Sequence, residues 1–211
     1  MLGRLRIGIK NGLYAFIVIL FAVALKVRFR IRIRGRENID KSAEYIAVAR
    51  HRSYWDIPVV TVAFGMFNRV HYIARRGLMR GLPILLPIIR IFSTFIDREN
   101  FGKSDYRRML AAMKQERLIG LFPEGTIHER ADVKAGVIHF GQLTGKRILP
   151  VNIASSGAYP PRSPFRFPRL TVTIGESFAV SDLCGDKTDA RTRAEQYQQM
   201  SDQLMLRVDN A

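Results

Sequence analysis

The sequence has little cysteine, little proline and few acidic residues, and each shortage excludes a class of protein. The single cysteine, Cys184, excludes a framework of intramolecular disulfides and suits a reducing compartment. A hydrophobic fraction of 47% with only 9 prolines excludes a chain that is disordered throughout. The 211 residues are enough for one α/β domain with its own core and too few for two of ordinary size.

Acidic residues are scarce enough to set the charge of the whole chain. The sequence has 18 Asp and Glu against 34 Lys and Arg, which gives a net charge of +16 and a pI near 10.7. Such an excess suits an anionic partner: nucleic acid, an acidic membrane surface or a phosphorylated substrate. Charge alone does not choose among the three.

Near the amino terminus acidic residues are absent, and every ionised side chain from Arg4 through Arg36 is basic. Within this stretch, residues 13–25 are unbroken in their apolar character. As a helix they would be about 20 Å long, short of the roughly 30 Å that a hydrocarbon core requires. We therefore expect a helix that dips into or lies on one leaflet, with residues 1–25 as a membrane-anchoring segment and residues 26–211 as one domain. A signal peptide is the alternative, but the six bases that begin at Lys26 make an awkward start for an exported chain.

Those six bases occupy every second position from Lys26 to Arg36 and alternate mainly with apolar residues. Period-two alternation predicts a strand with one apolar and one basic face. The basic face has two interpretations. It is either a solvated edge strand protected by charge or a contact with anionic headgroups, to which each base adds about 1 kcal/mol. The neighbouring apolar segment favours the headgroup contact.

Short apolar runs rich in β-branched or aromatic residues alternate with helical patterns along the rest of the chain. We expect strands at residues 45–49, 71–74, 92–96, 118–122, 148–153 and 170–174, and helices at residues 54–64, 105–114, 135–143 and 189–208. This order predicts a single α/β domain with a mixed, largely parallel sheet flanked by helices. A proline-rich loop at residues 159–169 mixes basic and aromatic side chains. It is either an ordinary loop or a contact with headgroups or a nucleotide phosphate.

The sequence His-Arg-Ser-Tyr-Trp-Asp at residues 51–56 directly follows a predicted strand. Ligands of α/β folds bind at the carboxyl ends of the strands, which is where His51 is expected to lie. An unperturbed histidine titrates near neutrality and can therefore deprotonate a hydroxyl at physiological pH. A carboxylate on the other ring nitrogen would fix the tautomer and stabilise the imidazolium, a role that Asp56 could fill.

The five-residue offset decides whether His51 and Asp56 can meet. On one continuous helix their side chains would point about 140° apart, so His51 must lie on a turn before the helix. Ser53 is a good N-cap for that helix, and Asp56 then takes the capping-box position three residues later. Asp56 could accordingly be a cap and nothing more.

Other predicted strands also end in polar or turn residues. Phe-Pro-Glu-Gly-Thr at residues 122–126 forms a tight turn after a buried strand, and Ile-Asp-Arg at residues 96–98 puts a guanidinium where it could bind a phosphate. Pro150 lies within a further strand. Together these strand ends indicate one site built from several segments.

These motifs resemble those of a known family, the 1-acyl-sn-glycerol-3-phosphate (lysophosphatidic acid) acyltransferases of the wider glycerolipid acyltransferase group. The resemblance rests on His51-x4-Asp56, on Phe-Ile-Asp-Arg at 95–98, on Phe-Pro-Glu-Gly-Thr at 122–126 and on Ile-Leu-Pro-Val at 148–151. Their order and spacing match four blocks of the family and cover roughly residues 27–174. The chain departs from the family at Ile127, where many members have arginine, and at Gly77, where many have glutamate.

The resemblance implies a role for each matching residue. It makes His51 the general base and Asp56 its partner. It assigns the acceptor's phosphate and glycerol to Arg98, Glu124, Gly125 and Thr126. Arg75 and Lys134 align with basic positions of the family, which makes them substrate-binding residues as well.

The resemblance also implies the reaction. A fatty acyl chain passes from acyl-CoA or acyl carrier protein, as co-substrate, to the sn-2 hydroxyl of 1-acyl-sn-glycerol 3-phosphate, giving phosphatidic acid. Neither a cofactor nor a metal is expected, because no metal-binding spacing is recognisable. The expected partners are membrane lipids, lysophosphatidic acid, the acyl donor and an anionic surface at the cytoplasmic face of the cell membrane, and no nucleic acid. The alternatives are a different lysolipid acceptor, or a non-enzymatic basic protein that binds membrane or nucleic acid.

Overall fold

A seven-stranded sheet organises the fold. The computed structural model describes residues 2–77, 86–97, 99–123, 136–161, 168–183 and 192–211. Its strands are β1 (Arg30–Arg34), β2 (Tyr45–Ala49), β3 (His71–Arg75), β4 (Ser93–Ile96), β5 (Leu118–Leu121), β6 (Arg147–Ser155) and β7 (Arg169–Ile174). Its α-helices are α1 (Leu2–Arg28), α2 (Asp56–Phe64), α3 (Leu86–Phe92), α4 (Lys103–Gln115), α5 (Gly136–Thr144) and α6 (Arg193–Asp209).

The strand order is β1-β7-β6-β2-β5-β3-β4. All neighbouring strands run parallel except β6 and β7, which are antiparallel. The carboxyl ends of β2, β3, β4, β5 and β6 therefore point to one edge of the sheet, and the amino ends of β7 and β1 point in the same direction. The predicted α/β domain with a mixed, largely parallel sheet is confirmed.

Helices cover both faces of the sheet. All five residues of β2 are buried, because its alternate side chains enter two separate apolar clusters. One cluster contains buried side chains of α1 and α2, and the other contains buried side chains of α4, α5 and α6. Burying a Leu or Ile side chain stabilises a fold by about 1.5–3 kcal/mol, so these two layers supply most of the apolar stabilisation.

The amino-terminal helix differs from its predicted extent. Helix α1 continues through Arg28, and the basic strand begins only at Arg30. The reason is local packing: Leu25 and Phe29 are both buried, one helical turn apart, and the Phe29 N–H donates to the Leu25 carbonyl at 2.6 Å. The expected boundary between an anchor at 1–25 and a domain at 26–211 stays a prediction.

Helix α1 is longer than its apolar run, and it lies along the domain. Residues Ile7–Arg28 are long and apolar enough to cross a membrane by length and composition alone, so the length argument against crossing does not hold. However, Tyr14, Val18 and Leu25 are buried in the core cluster of the domain. The opposite face exposes an apolar row that we call the outer stripe: Phe16, Leu20, Val23 and Val27.

Polar contacts also hold α1 to the domain. Lys10 donates to Glu116 at 2.6 Å, and Arg69 binds the other oxygen of that carboxylate at 2.9 Å. Burial alone would raise the pKa of Glu116, but the hydrogen bonds from Lys10 and Arg69 outweigh it and lower the pKa to about 2. Lys10, which interrupts the apolar character of α1, is thus paired with the domain.

Candidate active site

His51 lies on the turn between β2 and α2, at the carboxyl edge of the sheet. Its Nδ1 is 3.2 Å from Oδ2 of Asp56, and its ring stacks on Phe122 with the centroids 4.5 Å apart. The predicted turn before the helix is confirmed, and it resolves the problem of the five-residue offset. Phe122 follows β5, so the first and third sequence motifs meet at this ring.

Asp56 is 1% exposed, and four groups bind its carboxylate. Besides His51, Oδ2 accepts the backbone N–H groups of Arg52 at 2.6 Å and Ser53 at 2.7 Å. Oδ1 accepts the hydroxyl of Tyr159 at 2.6 Å. The carboxylate therefore closes the turn before α2 and contacts the imidazole at the same time. Helix α2 begins at Asp56, two residues later than the predicted start at residue 54.

This arrangement orients the imidazole for base chemistry. A buried carboxylate beside Nδ1 keeps the proton on that nitrogen, so Nε2 carries the lone pair and is the basic atom of the ring. Short hydrogen bonds to a carboxylate are charge-assisted and hold it rigidly. The geometry can thus accept a proton at Nε2 and stabilise the resulting imidazolium through Asp56.

Tyr159 completes the support of the carboxylate from far along the chain. It lies 103 residues from Asp56, in the segment that follows β6. Burial, reinforced by the charge of Asp56, raises the pKa of the Tyr159 hydroxyl, so it remains a phenol and a donor at neutral pH. The sequence placed Tyr159 only in a proline-rich loop, and no local spacing links it to Asp56.

Comparison with known proteins bears on this geometry. The family model described as Acyltransferase matches residues 30–154, which is more than half of the chain and includes the turn at His51.

The chain belongs to the acyltransferase family.

Proteins named 1-acyl-sn-glycerol-3-phosphate acyltransferase resemble this acyltransferase along much of its length. The protein of Bacillus subtilis is 24% identical over 173 residues, which cover 81% of the chain and 85% of the relative. That of Streptococcus pneumoniae is 29% identical over 152 residues, which cover 69% of the chain and 56% of the relative. The crystal structure of the 1-acyl-sn-glycerophosphate acyltransferase PlsC from Thermotoga maritima has the same fold, with a TM-score of 0.71 at 20% identity, covering 97% of the chain and 82% of PlsC. Membership of an enzyme family argues against the non-enzymatic alternative.

Of the expected substrate-binding residues of this acyltransferase, the structure describes one. Arg75 ends β3 at the same edge of the sheet as His51, is exposed, and lies 4.0 Å from the carboxylate of Glu99. The others lie outside the described residues: Arg98, Glu124, Gly125, Thr126 and Lys134. Their roles, like those of Arg75, His51 and Asp56, stay predictions.

No metal centre is found in the described part of the acyltransferase, where no three His, Cys, Asp or Glu side chains are grouped to hold an ion. A shallow groove of about 560 Å³ lies beside the turn that contains His51. Both sequence neighbours of His51 line it, and the full lining is Arg50, Arg52, Asn152, Ile153, Ala154 and Asp209.

Changing Tyr159 to phenylalanine is expected to lower the turnover of the acyltransferase by about tenfold, because a hydrogen bond to a charged group contributes about 1.5–3 kcal/mol. The loss should be in kcat rather than in KM, since the hydroxyl contacts Asp56 and is not proposed to touch substrate. The matched control is Tyr14→Phe, which removes another buried hydroxyl that bonds the backbone at Asn68 and Val70. Steady-state kinetics should show a kcat loss only in Tyr159→Phe; equal kcat in both variants would remove Tyr159 from the site.

Proposed function

We propose that the protein transfers a fatty acyl chain from an acyl thioester to the sn-2 hydroxyl of 1-acyl-sn-glycerol 3-phosphate, giving phosphatidic acid. The observation that carries the proposal is the His51–Asp56 pair, 3.2 Å apart at the carboxyl edge of the sheet, in a chain of the acyltransferase family. The names of its relatives support the acceptor, and the net charge of +16 suits a phosphorylated one.

The proposed step is direct transfer. Nε2 of His51 takes the proton of the acceptor hydroxyl while the hydroxyl oxygen attacks the thioester carbonyl. The new C–O bond forms, the C–S bond breaks, and the leaving thiolate takes the proton from the imidazolium. Asp56 stabilises the imidazolium during the transfer. General-base help of this kind contributes about 10²–10⁴-fold, and the positioning of both substrates supplies much of the rest.

The surroundings of His51 fit this role. Phe122 stacks on one face of the imidazole, which fixes the plane of the ring. Tyr159 and the two backbone N–H groups fix the carboxylate behind it. A base held in one orientation needs little reorganisation when charge develops, which is the main benefit of a preorganised site.

The proposal also covers binding of the acceptor. We propose that its phosphate and glycerol contact the substrate-binding residues expected from the sequence, of which the exposed Arg75 is the one described. An arginine binds a phosphate through two parallel hydrogen bonds. The donor in this proposal is acyl-CoA or acyl carrier protein.

The acceptor is tested with a panel of lysolipids and one labelled acyl donor, with products read by mass spectrometry. We expect lysophosphatidic acid to be acylated at least about tenfold faster than 1-acylglycerol or lysophosphatidylcholine, because only lysophosphatidic acid presents a phosphomonoester to the arginines. Equal rates for all three would contradict a phosphate-binding acceptor site. A preference for another lysolipid would show that this lysolipid, and not lysophosphatidic acid, is the acceptor.

We further propose that α1 seats the enzyme on the cytoplasmic face of the membrane. Its inner face is packed on the domain through Tyr14, Val18 and Leu25, and Lys10 is paired with Glu116. A helix fixed in this way lies along the domain, so its outer stripe enters one leaflet without crossing. Burial of apolar side chains at about 25 cal/mol per Å² supplies the binding energy.

Changing Leu20 to glutamate is expected to reduce binding to lipid vesicles by at least about tenfold, because a charge replaces an apolar side chain in the outer stripe. The matched control is Leu206→Glu on α6. Leu20 and Leu206 are 55% and 60% exposed, so neither change should alter the melting temperature. Flotation with vesicles should separate the two variants; equal binding would show that the outer stripe is not the membrane contact.

A further inference from the structure

Four arginines form an open basic surface on the sheet. Arg30, Arg32 and Arg34 are the exposed residues of β1. Arg169, at the start of β7, is also exposed and pairs with Arg30 across the two strands. Residues paired in neighbouring strands point to the same side of a sheet, so all four guanidiniums lie on one side. We call this surface the arginine face.

The arginine face continues through neutral residues of β7 and β6 towards the middle of the sheet, where Asn152 donates to the Asp209 carbonyl of α6. The register places Thr171 beside Arg32 and Thr173 beside Arg34, and Asn152 and Ala154 of β6 follow on the same side. The strands β1, β6 and β7 contain no acidic residue. Within the described part of the chain, none of the four arginine side chains forms a hydrogen bond or an ion pair, so their charge is available to a partner.

The arginine face looks away from α1. The alternate residues of β1, Ile31 and Ile33, pack against the core cluster that contains Tyr14, Val18 and Leu25 of α1. The arginines therefore lie on the opposite side of the sheet from that helix. A flat bilayer that contacts the outer stripe does not lie against the arginine face, which favours a soluble partner over the headgroup contact expected from the sequence.

The arginine face lies beside the edge of the sheet that carries His51. Ala49 at the carboxyl end of β2 pairs with Val151, and Val151 pairs with Ile174 at the carboxyl end of β7, so β7 and β1 extend beyond the end of β2 on the side of His51. Phe29, which precedes Arg30, packs edge-on against Trp55 with the centroids 5.4 Å apart, and Trp55 directly precedes Asp56. Three strand spacings, roughly 15 Å, separate β1 from β2, and the groove lined by Arg50, Arg52 and Asn152 lies beside β2 and β6.

We propose that the arginine face docks an acidic acyl carrier protein, whose flexible arm then carries the thioester to His51. This inference rests on the proposed function and names the donor for it. The arginines are spread over about 13 Å of an exposed strand, whereas small anionic ligands are bound in concave pockets. A dispersed row of cations suits a protein surface of opposite charge, for which it gives specificity and fast association.

The test compares the same acyl chain on acyl carrier protein and on coenzyme A, with lysophosphatidic acid as acceptor. The variants are Arg32→Glu, the charge-preserving Arg32→Lys, and the control Lys41→Glu, an exposed base in the loop before β2. We expect Arg32→Glu to lower kcat/KM for the carrier protein by about tenfold, because reversing a peripheral charge slows association. With acyl-CoA the rate should change less than about twofold, and both Arg32→Lys and Lys41→Glu should resemble wild type with either donor.

Other results would overturn the docking surface. If Arg32→Glu loses as much rate with acyl-CoA as with the carrier protein, the arginine face binds a small phosphate or the lipid surface. If the rate is unchanged with both donors, the arginine face does not bind the acyl donor. If the wild-type enzyme uses acyl-CoA but not acyl carrier protein as donor, the docking proposal is wrong and the proposed function still stands. No transfer by wild type from either donor contradicts the proposed function itself.

Discussion

Changing His51 to alanine is expected to lower the turnover of acyl transfer by about a thousandfold, because general-base catalysis contributes about 10²–10⁴-fold. The imidazole is the group placed to take the hydroxyl proton, and Asp56 has no base to orient without it. The side chain lies on a turn outside the two core clusters, so the fold should be retained.

The control for this variant is His139→Ala on α5. The His139 imidazole forms a hydrogen bond with the Tyr106 hydroxyl at 3.2 Å, and the proposed mechanism gives it no role. Turnover with saturating donor and acceptor, measured beside thermal unfolding, separates chemistry from folding. A folded His51→Ala enzyme that keeps more than about a tenth of wild-type turnover would show that His51 is not the general base.

Asp56→Asn is expected to reduce turnover by about a hundredfold, a smaller loss than that of His51→Ala. The amide oxygen can still accept the N–H groups of Arg52 and Ser53, but a neutral side chain cannot stabilise the imidazolium and no longer fixes the Nδ1–H tautomer. Some stability should also be lost, because the charge-assisted hydrogen bond from Tyr159 is weakened.

A matched control for the capping role is Asp105→Asn. Asp105 is 3% exposed and accepts the backbone N–H groups of Asp97, after β4, and of Gly102, before α4, but it has no histidine partner among the described residues. Asp105→Asn should therefore lose stability and keep its turnover, whereas Asp56→Asn should lose both. If Asp56→Asn also lost stability alone, Asp56 would be a cap and not a catalytic partner.

Much of the sheet could be predicted from the sequence because its strands are buried on both sides. A strand such as β2, with five consecutive buried residues, reads as a short apolar run between polar turns. The same property locates His51, since the residue after such a run lies at the carboxyl edge. The contact with Asp56 also followed from local spacing, because a helix that begins after His51 brings the two side chains together.

Other features depend on contacts between distant segments. Tyr159 reaches Asp56 across 103 residues, and no short-range pattern indicates that contact. The alternation from Lys26 onward predicted strand, yet Lys26 and Arg28 belong to α1, because Leu25 and Phe29 bury on the same side of its last turn. Packing against the domain there outweighs the local period of the sequence.

The central claim is direct transfer of the acyl chain from the thioester to the sn-2 hydroxyl, and the fate of a labelled chain tests it most directly. Purified enzyme is incubated with a donor labelled in its acyl chain and with lysophosphatidic acid, and the lipids, the free thiol and the intact protein are measured together. We predict that the label is recovered in phosphatidic acid, that one thiol is released for each phosphatidic acid formed, and that the protein mass is unchanged. Recovery of the label as free fatty acid or as an adduct on the protein would contradict direct transfer.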